Sequence, residues 1–330
     1  MHLISTSSGC SYEARPDESL LDAARRQGVV LAYSCRTGRC STCKGRVLSG
    51  ETVAAHDELG LSTAERAQGF ILTCVRQARG PLALEIDDLG DVVIPQVKTL
   101  PCRIQALERL SRNVMRVVLR LPPGSALDFL PGQYIDVIGP DGLRRSYSIA
   151  NAPSLDKQIE LHIREVPAGA MSRYWFQHAQ VNDLLRLRGP LGTSFLRDQA
   201  GRDLVLLATG TGIAPAKAML ESLSALSDNA QPRSITVYWG GRDRDSLYWR
   251  PPELARLRFV PVLSRADDRW TGARGHVQDV MLGDKPELAQ TLVHACGSDA
   301  MIHSAQAQLL AAGLPARQFH SDAFVCSAET

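Results

Sequence analysis

The sequence predicts a multi-domain fold: a small α+β domain, an antiparallel β-barrel, and an α/β domain built on a parallel sheet. Three observations predict it. Four cysteines, Cys35, Cys40, Cys43 and Cys74, crowd into the first quarter of the chain. Short strand patterns of alternating apolar and polar residues, parted by Gly and Pro turns, fill the middle, as barrels require. Compact apolar runs then alternate with helical stretches, the pattern of an open parallel sheet covered on both faces. A length of 330 residues itself favours two or three domains.

The first segment covers residues 1–91. Its cysteines read C-x4-C-x2-C, with the fourth after thirty intervening residues. That spacing matches the plant-type 2Fe–2S arrangement, in which closely spaced thiolates wrap a cluster and a distant one closes it. Zinc sites usually show two C-x2-C knuckles, and here only Cys40 and Cys43 form one. A disulfide framework suits a short secreted chain, whereas this start lacks a basic stretch followed by an apolar one. Small or flexible residues, Ser34, Thr37, Gly38, Ser41 and Thr42, leave room for backbone N–H groups to turn toward sulfur. Asp17 is expected to cap a helix over residues 18–27 that ends at Gly28. Strands are expected over 45–50, 70–73 and 82–86, with the cysteine loop at an exposed edge. Residues 92–101 carry two prolines and no clear period, which predicts a linker.

The second segment, 102–198, shows strand patterns over 114–121, 133–138, 146–150, 159–164 and 184–187, with one helix over 172–179. In the third, 199–330, strands over 204–208, 235–239, 259–263 and 292–296 alternate with helices, notably 214–226 and 299–312. Between its first strand and first helix stands Thr209-Gly210-Thr211-Gly212-Ile213-Ala214-Pro215. Glycines there let backbone approach a pyrophosphate, and a helix N-terminus supplies N–H groups and a favourable dipole. The pattern is G-x-G-x-x-P, so a plain strand–helix turn stays open as the alternative. Arg144-Arg145-Ser146-Tyr147-Ser148 alone reads as an exposed basic pair before a half-buried strand.

Composition narrows the partners. Hydrophobic residues make up 44% and charged residues 22%, a globular balance. A formal net charge of +2, with basic residues scattered, argues against nucleic acid and anionic membrane as partners. No apolar run is long enough to span a bilayer. Eight cysteines, four of them outside the cluster set (Cys10, Cys102, Cys296, Cys326), suit a reducing cytoplasm, so the protein is expected to be cytoplasmic. Cys10, Cys102 and Cys326 read as packing or surface thiols. His162, His276, His294, His303 and His320 show no ligand spacing and read as structural. The protein is expected to act as a monomer.

Five motifs occur in a telling order: Arg145-Ser146-Tyr147-Ser148, Gly169-Ala170-Met171-Ser172, Gly210 to Pro215, Ala295-Cys296-Gly297, and Asp322-Ala323-Phe324. With the cysteine-rich domain in front, the whole chain resembles the NADH-dependent iron–sulfur flavoprotein reductases, a ferredoxin domain fused to a ferredoxin–NAD(P)H reductase module. Stretches 100–104 and 144–153 are similar to members that serve CDP-6-deoxyhexose dehydrases. Stretches 33–35 and 38–40 are similar to reductase components of aromatic-ring dioxygenases. The resemblance implies an α+β ferredoxin (β-grasp) domain, a flavin-binding barrel and a nucleotide domain. It implies 2Fe–2S, FAD and NADH as cofactors, with Cys35, Cys40, Cys43 and Cys74 as metal ligands.

It also implies residue roles. Arg145 pairs with an FAD phosphate, Ser146 belongs to the same contact strand, Tyr147 stacks on the isoalloxazine, and Ser148 offers its hydroxyl to flavin N5. Gly169, Met171 and Ser172 face the pyrophosphate. Gly210, Thr211 and Gly212 hold NADH phosphates, while Cys296 and Gly297 end a strand beside the nicotinamide. Phe324 covers the flavin. Asp322 stands where many relatives carry Glu, and Cys296 also reads as a small apolar strand-end residue. Arg242 or Arg265 could hold a 2′-phosphate, although the resemblance favours NADH. The implied acceptor is a soluble protein, a dehydrase or an oxygenase component. A redox sensor without turnover is the remaining alternative, and the intact 145–148 motif argues against it.

Overall fold

The computed structural model describes residues 1–86, 88–90 and 92–324. Residues Met1–Ile94 form one unit and Pro95–Phe324 another.

In the first unit, β1 (His2–Thr6), β2 (Ser11–Ala14), β3 (Lys44–Ser49), β5 (Phe70–Leu72) and β7 (Leu82–Glu85) form one sheet in the order β2-β1-β7-β3-β5. Strands β4 (Thr52–Ala54) and β6 (Arg76–Ala78) form a separate ribbon. Helix α1 (Leu20–Arg26) buries Leu20, Leu21, Ala23 and Ala24 in the core. The expected Asp17 cap is corrected: Ser19 is the N-cap, its hydroxyl accepting the Asp22 N–H at 3.1 Å. Glu18, before the cap, pairs with Arg26 at 2.8 Å. A second short helix, α2 (Thr63–Ala67), is closed by a Ser62/Glu65 capping box that sequence inspection missed.

The second unit opens with β8 (Lys98–Ser111), which takes up the last residues of the expected linker. Lys98 to Pro101 pair in register with Gly189 to Arg186 of β13 (Leu184–Leu191). The others are β9 (Val114–Arg120), β10 (Tyr134–Ile138), β11 (Arg144–Ser148) and β12 (Ile159–Arg164). The antiparallel order is β11-β10-β13-β8-β9-β12, and an Ile149–Leu161 bridge brings the two edges together as a barrel. The expected helix over 172–179 starts earlier: α3 (Ala170–Arg173) runs into a wider π turn over Tyr174–His178.

The parallel sheet follows, in the order β17-β16-β15-β14-β18-β19. Its strands are β14 (Asp203–Thr209), β15 (Ser234–Gly241), β16 (Leu257–Leu263), β17 (Ala273–Arg274), β18 (Thr291–Ser298) and β19 (Phe319–Phe324). Helices α4 (Ile213–Leu223), α5 (Val277–Gly283) and α6 (Asp299–Ala311) pack on it. Expected helix 214–226 thus ends three residues early and 299–312 one residue early. Strand β19, absent from the sequence reading, pairs Cys296 with Asp322 and Ser298 with Phe324.

Candidate functional site

The cysteine loop lies between α1 and β3. Pairing of β3 with β5 sets Lys44 opposite Leu72, and Thr73 then donates its N–H and hydroxyl to the Cys43 carbonyl, both at 3.1 Å. That brings Cys74 beside Cys43 across thirty residues of chain. The sulfurs stand as two pairs, Cys35 with Cys40 and Cys43 with Cys74. Within each pair the thiol–thiol hydrogen bond shifts the two sulfurs in opposite directions. The Cys40 thiol holds Cys35 down, to about 5, and Cys43 holds Cys74 below the usual thiol range. Cys40 and Cys43 are pushed up by the same contacts.

Backbone N–H groups are directed at the sulfurs: Thr37 to Cys35 and Cys35 to Cys40, each at 3.4 Å, with Arg39 aimed at Cys35 and Gly38 at Cys74. Gly38 has φ +73°, and a Cβ there would lie 2.5 Å from the Asp57 carbonyl, so only glycine permits the turn. Buried Glu58 anchors the strand below, accepting from Leu72 N–H at 2.8 Å and from Arg76. Among the described residues no three metal-ligand side chains converge on one point. Two thiol pairs ringed by N–H donors nevertheless suit a two-iron cluster, which takes four cysteine ligands and is tuned by hydrogen bonds to sulfur. The expected exposed edge is corrected in part: Cys40 and Cys43 are buried, Cys35 and Cys74 half-buried, and Thr37 alone of this group is exposed. Gly60 packs tightly against the Arg39 carbonyl and the Ser41 hydroxyl on either side of Cys40.

In the second unit, Ser148 at the end of β11 and Asp322 on β19 meet, the Ser148 hydroxyl donating to Asp322 Oδ2 at 3.3 Å; both are buried. Asp322 also directs its backbone N–H at Cys296, whose thiol burial and the neighbouring carboxylate push well up. Cys296 is therefore a neutral thiol. Tyr147 accepts the Trp175 Nε1–H at 3.0 Å, and the two rings meet edge-on, 6.2 Å apart. Burial pushes its phenol up, so the ring is held as a neutral plate. Arg145 is half-buried and donates to the Arg144 carbonyl. The Ser146 hydroxyl donates to Asp136 at 2.7 Å, which ties β11 to β10. Ser172 accepts the Val166 N–H at 2.9 Å and closes the turn that carries Gly169. Met171 lies in the barrel core, 2% exposed, which leaves only its backbone for a ligand. Phe324 is half-buried at the end of β19. Cys326 lies outside the described residues.

The glycine loop after β14 divides in two. Gly210 has φ +55° and open space above it, with Arg164 Nη1 3.6 Å from where a Cβ would stand. Gly212 has none: a Cβ would strike the Cys296 carbonyl, and one on Gly297 (φ +144°) would strike Thr209. Those two glycines let the ends of β14 and β18 close on each other, and Thr209 Oγ1 accepts the Ser298 N–H at 3.2 Å. Thr211 is buried. Trp239, fully buried on β15, donates Nε1–H to the Gly210 carbonyl at 2.9 Å and fixes the loop. Sequence reading missed Arg164 and this use of Trp239, since a lone arginine or tryptophan ending a strand carries no motif. Arg242 and Arg265 are exposed beyond β15 and β16, joined backbone to backbone.

Residues 4–79 match the 2Fe-2S iron-sulfur cluster binding domain, 101–195 the oxidoreductase FAD-binding domain, and 206–307 the oxidoreductase NAD-binding domain. The CDP-6-deoxy-L-threo-D-glycero-4-hexulose-3-dehydrase reductase of Yersinia pestis is 38% identical over 326 residues, 97% of each chain. The chain belongs to the NADH-dependent iron–sulfur flavoprotein reductases. The propane 2-monooxygenase reductase component of Mycolicibacterium smegmatis is 33% identical, over 94% of this reductase and 93% of that protein. Among solved structures, the Amycolatopsis cytochrome P450 reductase GcoB is 31% identical with a TM-score of 0.74, over 98% and 99% of the chains. The reductase is thus an oxidoreductase with 2Fe–2S, FAD and NAD domains, moving electrons from NADH through FAD to the cluster. Proteins of this kind hand electrons to a separate soluble component. Among the described residues no helix is long and apolar enough to cross a membrane.

Proposed function

We propose that the reductase serves a dehydrase acting on a CDP-6-deoxyhexose, as a monomeric, cytoplasmic electron donor. The observation that carries this is the 38% identity along 97% of both chains to a named dehydrase reductase. NADH, FAD and the cluster, when bound, supply a converter of one two-electron donor into two single electrons. The chain's residues supply binding and orientation. Cys35 with Cys40, and Cys43 with Cys74, hold the two irons. Arg145 meets an FAD phosphate, the backbone at Gly169 to Ser172 faces its pyrophosphate, and Tyr147 presents a ring braced by Trp175. Gly210 and Thr211, at the start of α4, hold NADH phosphates with Arg164 above them. Gly212 and Gly297 shape that loop from below. Ser148 would place its hydroxyl beside flavin N5, and Asp322, which accepts the hydrogen bond from that hydroxyl, would hold it in orientation there. Cys296 fills the floor, and Phe324 covers the flavin face.

Mixing the reductase with NADH, a purified CDP-6-deoxyhexose dehydrase and its substrate under argon tests the reading. Dehydrase-dependent NADH consumption with formation of the reduced sugar supports it; NADH use that ignores the dehydrase sinks it. The 33% identity to a monooxygenase reductase component favours a second reading, in which the acceptor is an oxygenase and NADH oxidation couples to oxygen uptake.

A further inference from the structure

Between the flavin barrel and the nucleotide sheet lies a buried polar cluster that none of the cofactor contacts uses. At its centre is Glu160 of β12, its side chain 10% exposed. Arg116 of β9 stands 2.8 Å from it, His162 Nε2 3.0 Å and Lys217 Nζ of α4 3.1 Å. Arg116 also meets Glu108 at 3.3 Å. Burial pushes the Glu160 carboxyl up, but the hydrogen bonds from His162 and Arg116 and the charge of Lys217 outweigh it and hold it at about 2. Burial pushes His162 down, so its neutral ring donates Nε2–H to Glu160 and accepts the Tyr248 hydroxyl at Nδ1, 3.2 Å away.

Two routes run from this cluster to the two cofactor sites. Lys217 donates to the Ala150 carbonyl at 3.0 Å, two residues beyond Ser148, and pairs with Glu221 at 2.6 Å. Glu221 in turn accepts the Ala152 N–H at 2.9 Å. Helix α4, which carries Lys217 and Glu221, begins at the Gly210–Gly212 turn. On the other route, Tyr248 meets Trp239 edge-on at 5.2 Å, and Trp239 holds the Gly210 carbonyl. One clasp therefore grips the strand that leads from Ser148 and the loop set aside for nucleotide phosphate.

Buried ion pairs are poor sources of stability, because desolvation offsets attraction, but in some proteins they serve to specify one geometry. Hydride transfer is sensitive to geometry: reacting atoms must approach to about 3–3.5 Å, and a misplacement of about 1 Å costs on the order of 100-fold. We propose that Lys217 and Glu160 are positioning residues for hydride transfer, locking the nucleotide loop against the flavin strand. The inference rests on the reading that Ser148 faces the flavin and Gly210 the nucleotide.

Lys217→Met in the holoenzyme tests it, by anaerobic stopped-flow reduction with saturating NADH, the long-wavelength charge-transfer absorbance, flavin content and NADH affinity. Flavin reduction is expected to slow about 10-fold or more with the charge-transfer band lost and flavin content retained. Lys217→Arg should restore most of both. A wild-type rate and band in Lys217→Met, or a fall that only tracks lost flavin, overturns the inference. Should loss of the Lys217 charge beside Glu160 and Glu221 keep Lys217→Met from folding, Lys217→Met with Glu160→Gln removes both charges of the Lys217–Glu160 pair. That double variant should stay slow, and a wild-type rate in it overturns the inference. Ser148→Ala separates the two readings. Slow reduction there beside normal Lys217→Met sinks only the clasp, whereas normal reduction in Ser148→Ala sinks the flavin assignment and the clasp with it.

Discussion

The cysteine loop takes three of its four thiols from nine consecutive residues, 35 to 43, whereas Ser148 and Asp322, which meet at 3.3 Å, lie 174 residues apart. In the first case local chain geometry and a tight glycine turn nearly complete the site, and one strand pairing adds Cys74. In the second, a barrel and a six-stranded parallel sheet must both form before the two side chains touch. A site of the first kind fails through its ligands. A site of the second kind fails through packing or charge far from the chemistry.

The largest expected effect tests the local site. Cys40→Ser should abolish the cluster's visible absorption and cut NADH-driven cytochrome reduction by orders of magnitude, while flavin reduction by NADH stays near the parent rate. Loss of flavin reduction as well would dissolve the contrast, since the two sites would then not be separable. Acid tests the assembled site next. Glu160 is held at about 2 against an ordinary 4.5, a depressed carboxylate. Its contribution is complete above pH 4.5 and is lost as pH falls toward 2, about 3 kcal/mol in all. His320, held down to about 3 by burial and by Arg197, adds a loss that begins near pH 6.5, because the unfolded ring takes up a proton that the folded one refuses. Denaturant melts of the parent and Glu160→Gln between pH 5 and 3 should show a flatter fall in the variant; parallel curves would count against the assignment.

Smaller is Arg145→Ala, which should weaken FAD retention by about 1.5–3 kcal/mol, the worth of a charge-assisted hydrogen bond. Flavin content after dialysis is the readout, and an undiminished content would remove Arg145 from the site. Smallest is Met171→Leu, a volume-conserving change in the barrel core expected to cost under about 1.5 kcal/mol and to leave flavin content alone. A marked loss of flavin would return the Met171 side chain to the cofactor.

The same contrast explains what could be read from the sequence. Ligand spacing in the cysteine loop is a local pattern, and the domain order and most strands followed from periodicity. Ser148, Tyr147 and Asp322 emerged only through resemblance, because no local pattern records that β19 lies beside β18. Asp17 and Ser19 are both good caps by type, and only the folded chain shows that Ser19 is the one that accepts the Asp22 N–H. Glu160 and Lys217 carried no signal at all: they sit 57 positions apart on different layers, and only the folded chain shows them as partners.

Gly212 and Gly297 place a hydrogen atom where any other residue would drive a carbon into the opposing strand end. The close approach of β14 and β18 is thus moulded by what those two positions lack. On the proposed reading, efforts to re-engineer coenzyme choice are best confined to exposed positions such as Arg242 and Arg265, changes at which leave that mould whole.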